Sequence, residues 1–139
     1  MHLHQVRSRF GFNKTIDTEL STIDKFSALD NHANERNNGL ECAVTTVSPN
    51  KLLRNNIAPK RIDLMSIDTE GSEYEILAAF DFSQWEIQLL VVEYNFSPQR
   101  ELIHDLLAKN GFRRVLSKIS AWDDWYIPLE FPLLISPPA

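Results

Sequence analysis

The chain has 139 residues and a formal net charge of −5, which is enough for one domain with one hydrophobic core. Hydrophobic residues make up 43% and charged residues 24%, proportions that are typical of a globular protein and exclude a disordered or fibrous one. The single Cys42 excludes an internal disulfide and a four-cysteine zinc site. No apolar run approaches the ~18 residues of a membrane helix, and the first residues lack the apolar stretch of a secretory signal. We therefore expect a cytoplasmic protein without a membrane partner.

Glycine spacing and charge distribution exclude two further classes of protein, those with a glycine-rich nucleotide loop and those that bind nucleic acid. The four glycines lie more than 25 positions apart, at Gly11, Gly39, Gly71 and Gly111. Glycine-rich nucleotide loops need glycines two to five positions apart, because the backbone must approach phosphate closely. Residues 63–105 carry ten acids and one base, Arg100, whereas a phosphate-binding surface needs the opposite balance. We expect no nucleic-acid partner.

The elements of the first half are predicted from few signals. Residues 24–36 have a weak helical period, and β-branched residues in 41–47 predict a short strand. Ser48 followed by Pro49 predicts a helix start, because serine can cap the helix and proline suits its first position. This helix should end near Asn55.

The second half gives stronger signals. Two apolar runs, 61–68 and 87–95, predict strands that are buried on both faces, as in a parallel sheet. Between them, Ser72 and Glu75 have the spacing of a capping box, which predicts a helix. Ser97 followed by Pro98 predicts the next helix, which should end at 109–111. Four residues at helical spacing should form its buried stripe: Leu102, Ile103, Leu106 and Leu107.

The order of these elements predicts the fold class. Strands and helices alternate, and two strands close the chain, which predicts an α/β open sheet with right-handed crossovers and a final antiparallel hairpin. Ligands in such sheets lie outside the carboxyl ends of the strands. Four polar residues follow two of these ends: Asp68, Glu70, Glu93 and Asn95. We predict a domain at 40–128, a poorly defined N-terminal segment at 1–39 and an irregular tail at 129–139.

The segment IDLMSIDTEGSEYEIL, followed by IQLLVVEYN, resembles the FkbM-type S-adenosylmethionine-dependent methyltransferases. The hallmark is the acidic turn at 68–73, and the helix SPQRELIHDLLAKNGF and the closing WDDWYI are also similar to that family. The resemblance implies a Rossmann-like, mostly parallel methyltransferase sheet that transfers a methyl group to a hydroxyl of a small-molecule or glycan acceptor. The family's glycine-rich cofactor loop has no counterpart before residue 40. We therefore expect the carboxyl-terminal half of such a domain, truncated at its N-terminus, which is inactive or incomplete in isolation and binds S-adenosylmethionine poorly.

The resemblance also implies roles for individual residues. Asp68, Glu70 and Glu93 are the candidate catalytic carboxylates, and Asp68 with Gly71 would face the methyl donor. Each has a structural alternative: Asp68 can cap the following helix, and Gly71 can serve the turn alone. The candidate acceptor-binding residues are Asn95, Trp122 and Asp124. For these the alternatives are a turn before Ser97 and a hairpin whose aromatic side chains pack on the sheet.

Three functional hypotheses remain open at this point. The first is an O-methyltransferase that acts on a sugar or natural-product hydroxyl. The second is a non-catalytic remnant or interaction domain with a methyltransferase-like sheet. The third is a metal-dependent transferase or hydrolase that uses the acidic cluster directly. We favour a carboxylate base over a metal, because an Asp, a Glu and an Asn do not define a unique metal site. An exposed sheet edge should also promote self-association.

Overall fold

A computed structural model describes residues 46–131 in full, and the segments 7–13, 22–23 and 39–45 as backbone strands. The described strands are β1 (Arg7–Asn13), β2 (Thr22–Ile23), β3 (Gly39–Thr45), β4 (Arg61–Ile62), β5 (Met65–Ile67), β6 (Glu86–Ile87), β7 (Leu90–Glu93), β8 (Phe112–Val115) and β9 (Asp123–Pro128). The described helices are α1 (Pro49–Asn55), α2 (Glu73–Ala78) and α3 (Arg100–Lys109). None of these helices is long and apolar enough to cross a membrane.

The N-terminal strands form an antiparallel sheet in the order β2-β1-β3. The strand predicted at 41–47 is present as β3. Strand β1 was not predicted, because its pairing with β3 is a contact between distant segments that leaves no periodic signal in the first 40 residues. The helix predicted at 24–36 lies outside the described residues.

Each of the two long predicted strands is divided into two short ones. Strands β4 and β6 pair in parallel, as do β5 and β7. Hydrogen bonds cross the interruption, from Gln88 N to Ile62 O and from Met65 N to Leu89 O, both at 2.9 Å. Leu64, within the interruption, is 58% exposed. The two halves therefore keep a parallel direction although the regular strand geometry is broken.

The sheet that contains β5 and β7 is mixed. Its order is β5-β7-β9-β8, and β9 runs antiparallel to both β7 and β8. The predicted closing hairpin is therefore confirmed, and so is the α/β class. A mostly parallel sheet is not confirmed, because two of the described strand pairs are parallel and four are antiparallel.

The core lies between this sheet and helices α2 and α3. It consists of ten buried side chains: Ile67, Leu77, Phe80, Ile87, Leu90, Val92, Ile103, Leu107, Phe112 and Tyr126. Strand β7 does not bury both faces equally, which corrects the prediction from its apolar run. Leu90 and Val92 are buried, whereas Val91 and Glu93 are half-buried. Directly paired residues share a face, so the buried face of β9 carries Tyr126 and Asp124, opposite Leu90 and Val92.

The predicted helix starts are confirmed in part. Ser48 caps α1 by accepting a hydrogen bond from Lys51 N, with Pro49 in the first turn. Helix α3 begins later than predicted, at Arg100, because Ser97 Oγ accepts from Gln99 N within a preceding turn.

The buried stripe of α3 is narrower than its sequence suggests. Ile103 and Leu107, one turn apart, are the buried residues, and Leu106 is half-buried. Leu102 is 53% exposed, so its predicted place in the core is wrong. A helix that packs against one neighbouring layer buries a limited arc, and Leu102 falls outside it.

Candidate functional site

The acidic turn after β5 has an uncommon backbone conformation. Glu70 and Gly71 follow one another with φ values of 55° and 110°. Glycine adopts such values without a steric penalty, but a side chain in the left-handed region costs about 1–2 kcal/mol. The turn that positions Asp68 and Glu70 therefore needs support from its surroundings.

Glu73 supplies that support. Its carboxylate accepts hydrogen bonds from Thr69 N at 2.8 Å, from Thr69 Oγ1 at 2.9 Å and from Gly71 N at 3.1 Å. Ser72 Oγ donates to Thr69 Oγ1 and makes no side-chain cap for α2, so the predicted capping box is wrong. The buried Glu73 instead accepts from the backbone N–H groups of the loop before α2, at Thr69 and Gly71.

Three carboxylates meet at the ends of β5 and β7. One oxygen from each of Asp68, Glu70 and Glu93 lies within 4.8 Å of the others. Asp68 is exposed, Glu93 is half-buried and Glu70 is buried. Ile67 faces the core and Asp68 follows it, so Asp68 and Glu93 lie on the sheet face opposite α2 and α3. The sequence predicted these residues near one rim, and the structure brings them together.

The proximity of these groups changes the acidity of Glu93. Burial raises the pKa of Glu93 to about 8, together with the negative charges of Asp68, Glu70 and Glu73 and a hydrogen bond with Asp68. A neutral Glu93 carboxyl can donate a hydrogen bond to the Asp68 carboxylate. Near neutral pH Glu93 therefore keeps its proton.

Asp123 is a fourth acid at this site, and the sequence analysis did not select it. It pairs with Glu93 across β7 and β9, so both side chains point to the same face. Burial raises the pKa of Asp123, and the charges of Asp68 and Asp124 add to the effect. The pair Asp123-Asp124 is the sequence signal that could have identified this acid. Adjacent strand residues point to opposite faces, so one of the two had to lie on the face of the site.

Asp124 lies on the other face of β9. It is 2% exposed, and Arg100 donates two hydrogen bonds to it, at 2.7 and 2.8 Å. Arg114 donates a third at 3.1 Å. Burial alone would raise the pKa of Asp124, but the hydrogen bonds and charges of the two arginines outweigh it and lower the pKa. Both of its carboxylate oxygens are already engaged by protein donors.

The remaining candidates lie around the loop between β7 and α3. Asn95 is 8% exposed and Trp122 is 60% exposed. The Trp122 carbonyl accepts hydrogen bonds from Tyr94 N at 2.9 Å and from Asn95 N at 3.3 Å. These bonds join the end of β7 to the start of β9. The backbone amide of Gly71 is directed at Glu73 and is thus already occupied.

The donor set fits a positively charged ligand. The acidic side chains of Asp68 and Glu70 suit a sulfonium group, and the oxygens of Asp68, Glu70 and Glu93 are also ligands that a hard divalent cation accepts. No glycine-rich turn of the kind that approaches a ribose occurs in the sequence. The described residues therefore fit the charged part of S-adenosylmethionine better than its nucleoside part.

The site has carboxylates at the carboxyl ends of neighbouring parallel strands, and helices cover one face of the sheet. This arrangement is found in α/β enzymes that bind ligands at the strand ends. A family model for the methyltransferase FkbM domain matches residues 3–117. This match covers most of the chain, which therefore belongs to the FkbM methyltransferase family. The match ends before Trp122, Asp123 and Asp124. Comparisons with curated proteins and with solved structures gave no match.

Proposed function

We propose that this chain is part of an S-adenosylmethionine-dependent O-methyltransferase that acts in the cytoplasm on a hydroxyl of a sugar or natural product. The observation that carries the proposal is the convergence of Asp68, Glu70 and Glu93 within 4.8 Å at the ends of two parallel strands. Family membership gives the reaction class. The carboxylates supply what O-methylation needs from the protein, namely an acceptor for the hydroxyl proton.

Asp68 is the proton acceptor in this proposal. The bound methyl donor supplies the methyl group. As the acceptor oxygen forms its new bond to carbon, the hydroxyl proton moves to a carboxylate oxygen of Asp68, which is exposed and can be reached. Glu93 keeps its own proton near neutral pH and donates to Asp68, which holds the Asp68 carboxylate in one orientation.

The other candidates have distinct proposed roles. Asn95 and Trp122 are the proposed acceptor-binding residues, and the hydrogen bond from Asn95 N to the Trp122 carbonyl joins their two segments. Gly71 allows the left-handed turn that places Asp68 near the methyl donor. Asp124 acts indirectly, because its ion pairs with Arg100 and Arg114 fix the start of β9 and so position the adjacent Asp123.

A metal-dependent version is the second candidate, and the oxygen cluster of Asp68, Glu70 and Glu93 favours it. A divalent cation there would stabilise the acceptor oxygen as it loses its proton. We favour the metal-free version, because an Asp, a Glu and an Asn do not define a unique metal site. The third candidate is a protein that no longer catalyses a reaction and uses its methyltransferase-like sheet to bind a partner.

The proposal is tested with Asp68→Asn, which keeps the size of the side chain and removes its charge. Formation of S-adenosylhomocysteine is measured over a panel of hydroxyl acceptors, with and without EDTA, and methyl-donor affinity is measured by titration calorimetry. We expect turnover to fall by ~10²–10⁴-fold while the affinity changes little.

Asp63→Asn is the matched control, because Asp63 is exposed and its carboxylate pairs with Arg61 at 3.0 Å, away from the acidic turn. Turnover of Asp68→Asn equal to that of the unmodified protein would remove Asp68 from the mechanism. Loss of activity in EDTA, restored by Mg²⁺, would select the metal-dependent version. An unmodified protein without turnover on any acceptor would favour the non-catalytic reading.

A further inference from the structure

One buried side chain, Glu73, holds the backbone next to two acids of the site. Its Oε1 atom accepts a hydrogen bond from Thr69 N at 2.8 Å, and its Oε2 atom accepts from Gly71 N at 3.1 Å. These two N–H groups belong to the peptide units that directly follow Asp68 and Glu70. We call this arrangement the Glu73 clamp. It fixes the backbone from which both acidic side chains extend.

The clamp holds a conformation that a residue with a side chain seldom adopts. Glu70 has a φ value of 55°, in the left-handed region, where its Cβ atom is crowded by the backbone. Without the clamp, Glu70 would be free to return to a negative φ, and its side chain would then leave the backbone in another direction. Strain of this kind persists where the surrounding structure enforces it, and it is concentrated at functional sites.

A chain of hydroxyl groups completes the clamp. Ser72 Oγ donates to Thr69 Oγ1 at 2.8 Å, and Thr69 Oγ1 donates to Glu73 Oε1 at 2.9 Å. Ser72 and Glu73 are each 5% exposed. Hydrogen bonds to an ionised acceptor are stronger than those between neutral groups. The Glu73 carboxylate is therefore held firmly by the same turn that it holds.

The clamped turn carries two of the three carboxylates of the site. One oxygen from each of Asp68 and Glu70 lies within 4.8 Å of the other and of a Glu93 oxygen. Both oxygens of Glu73, in contrast, accept hydrogen bonds from the turn itself. Glu73 therefore acts on the site through the backbone, without contacting a ligand.

We propose that Glu73 is a positioning residue for methyl transfer, which holds the carboxylates of Asp68 and Glu70 toward the sulfonium group of the methyl donor. The Thr69 hydroxyl shares this role because it fixes the Glu73 carboxylate. This inference rests on the proposed function, since it assigns a role within the same site. It accounts for a strained acid, Glu70, next to a buried acid whose hydrogen bonds stay within one turn.

The test compares two ligands that differ by one methyl group and one positive charge. S-Adenosylmethionine carries the sulfonium group, and S-adenosylhomocysteine has a neutral sulfur in its place. Both are titrated into the protein in the presence of EDTA, and ligand-observed NMR gives the ratio of their dissociation constants. Because the rest of the two molecules is the same, a change in this ratio between variants reports how the carboxylates face the sulfur, without any turnover.

Thr69→Val removes the hydroxyl donor and leaves every charge in place. We expect this change to shift the ratio about fourfold against S-adenosylmethionine. Coulomb's law gives this factor when a carboxylate about 4 Å from a positive charge moves about 1 Å further away, at an effective dielectric constant of about 20. Thr69→Ser keeps the hydroxyl and should restore the ratio. Glu73→Gln removes an acceptor oxygen and a negative charge, so it should shift the ratio at least as far.

Ser83→Ala is the matched control. Ser83 Oγ also donates to a carboxylate, that of Asp81 at 2.6 Å, but in the exposed turn between α2 and β6. This variant should leave the ratio unchanged. The unfolding temperature of each variant is measured as well, because a purely structural role of the Thr69 hydroxyl would lower that temperature in Thr69→Val and leave the ratio as it was.

The results separate this inference from the proposed function. An unchanged ratio in Thr69→Val or in Glu73→Gln would overturn the inference, as would an equal loss of affinity for both ligands. Binding of neither ligand by the unmodified protein would overturn it too. A ratio that depends on the Thr69 hydroxyl, in a protein without turnover on any acceptor, would support the inference and contradict the proposed methyl transfer.

Discussion

Glu93 illustrates how its neighbours determine the chemistry of a single residue. Its pKa is raised from 4.5 to about 8 by burial and by the acids around it. At neutral pH this carboxyl is therefore mainly protonated in the folded protein and ionised in the unfolded chain. A proton is thus bound on folding over the range between these two pKa values.

The sign of the pH dependence follows from that difference. A group with a raised pKa stabilises the folded state below its unfolded pKa, and this contribution is lost as pH rises through the folded pKa. We expect the free energy of unfolding to decrease from about pH 4.5 to about pH 8. Glu93→Gln should remove most of this decrease, because glutamine resembles the protonated acid.

Urea unfolding of the two proteins across this pH range measures the effect. Glu130→Gln is the control, since Glu130 is exposed and should leave the pH profile as it was. The expectation fails if Glu93→Gln retains the slope of the unmodified protein. In that event the acids would be far enough apart in solution to ionise independently.

At the scale of elements, one ion-pair network joins α3 to the hairpin. The carboxylate of Asp124, on β9, is bound by Arg100 from the start of α3 and by Arg114 from β8. Asp124 is 2% exposed, while the side chains of Arg100 and Arg114 are 30% and 21% exposed. The network fixes the start of β9, where the adjacent Asp123 faces the site.

Asp124→Asn should therefore lower the free energy of unfolding by about 3 kcal/mol. This value is near the lower end of the range for breaking a buried ion pair, because the two arginines that lose their partner can still reach water. Because its pKa is lowered, the ionised Asp124 carboxylate stabilises the folded protein at pH values above its unfolded pKa, and acid removes this stabilisation. The difference in free energy of unfolding between Asp124→Asn and the unmodified protein should therefore shrink as pH falls below about 4. Chemical denaturation measures both. Asp105→Asn on the exposed side of α3 is the control, and an equal effect of the two changes would show that the network contributes nothing specific.

At the scale of the whole molecule, the mixed sheet has an edge at β5. Among the described residues, β5 pairs only with β7. Met65 N donates toward β7, so the neighbouring Ser66 N is directed at the opposite side. Ser66 is exposed. An open edge of this kind can pair with a second copy of the chain.

We expect the purified chain to self-associate through this edge, and Ser66→Pro to reduce the association. Proline removes the outward-facing N–H and is tolerated on an edge strand, so the β5–β7 pairing should remain. Sedimentation velocity over a range of concentrations measures the effect, with Ser66→Ala as a control that keeps the N–H. A monomer at every concentration would refute the expectation, as would equal association of the two variants.

The sequence determined the local signals and the order of the elements. Ser48 and Pro49 marked α1 because capping depends on adjacent residues, and the alternating elements with a final hairpin follow from periodicity and turn residues. Asp68 and Glu93 could be placed at strand ends for the same reason. Their assignment to one rim required only the rule that parallel strands end together.

The tertiary structure decided everything that depends on which surfaces meet. It selected Glu73 to hold the acidic turn, because the Glu73 carboxylate reaches the backbone N–H groups of Thr69 and Gly71. It also exposed Leu102, because α3 buries only a limited arc. It also placed Asp123 with Glu93 and Asp124 with Arg100. Two adjacent acids on a strand are equivalent in sequence, and only the register between β7 and β9 determines which of them faces the site.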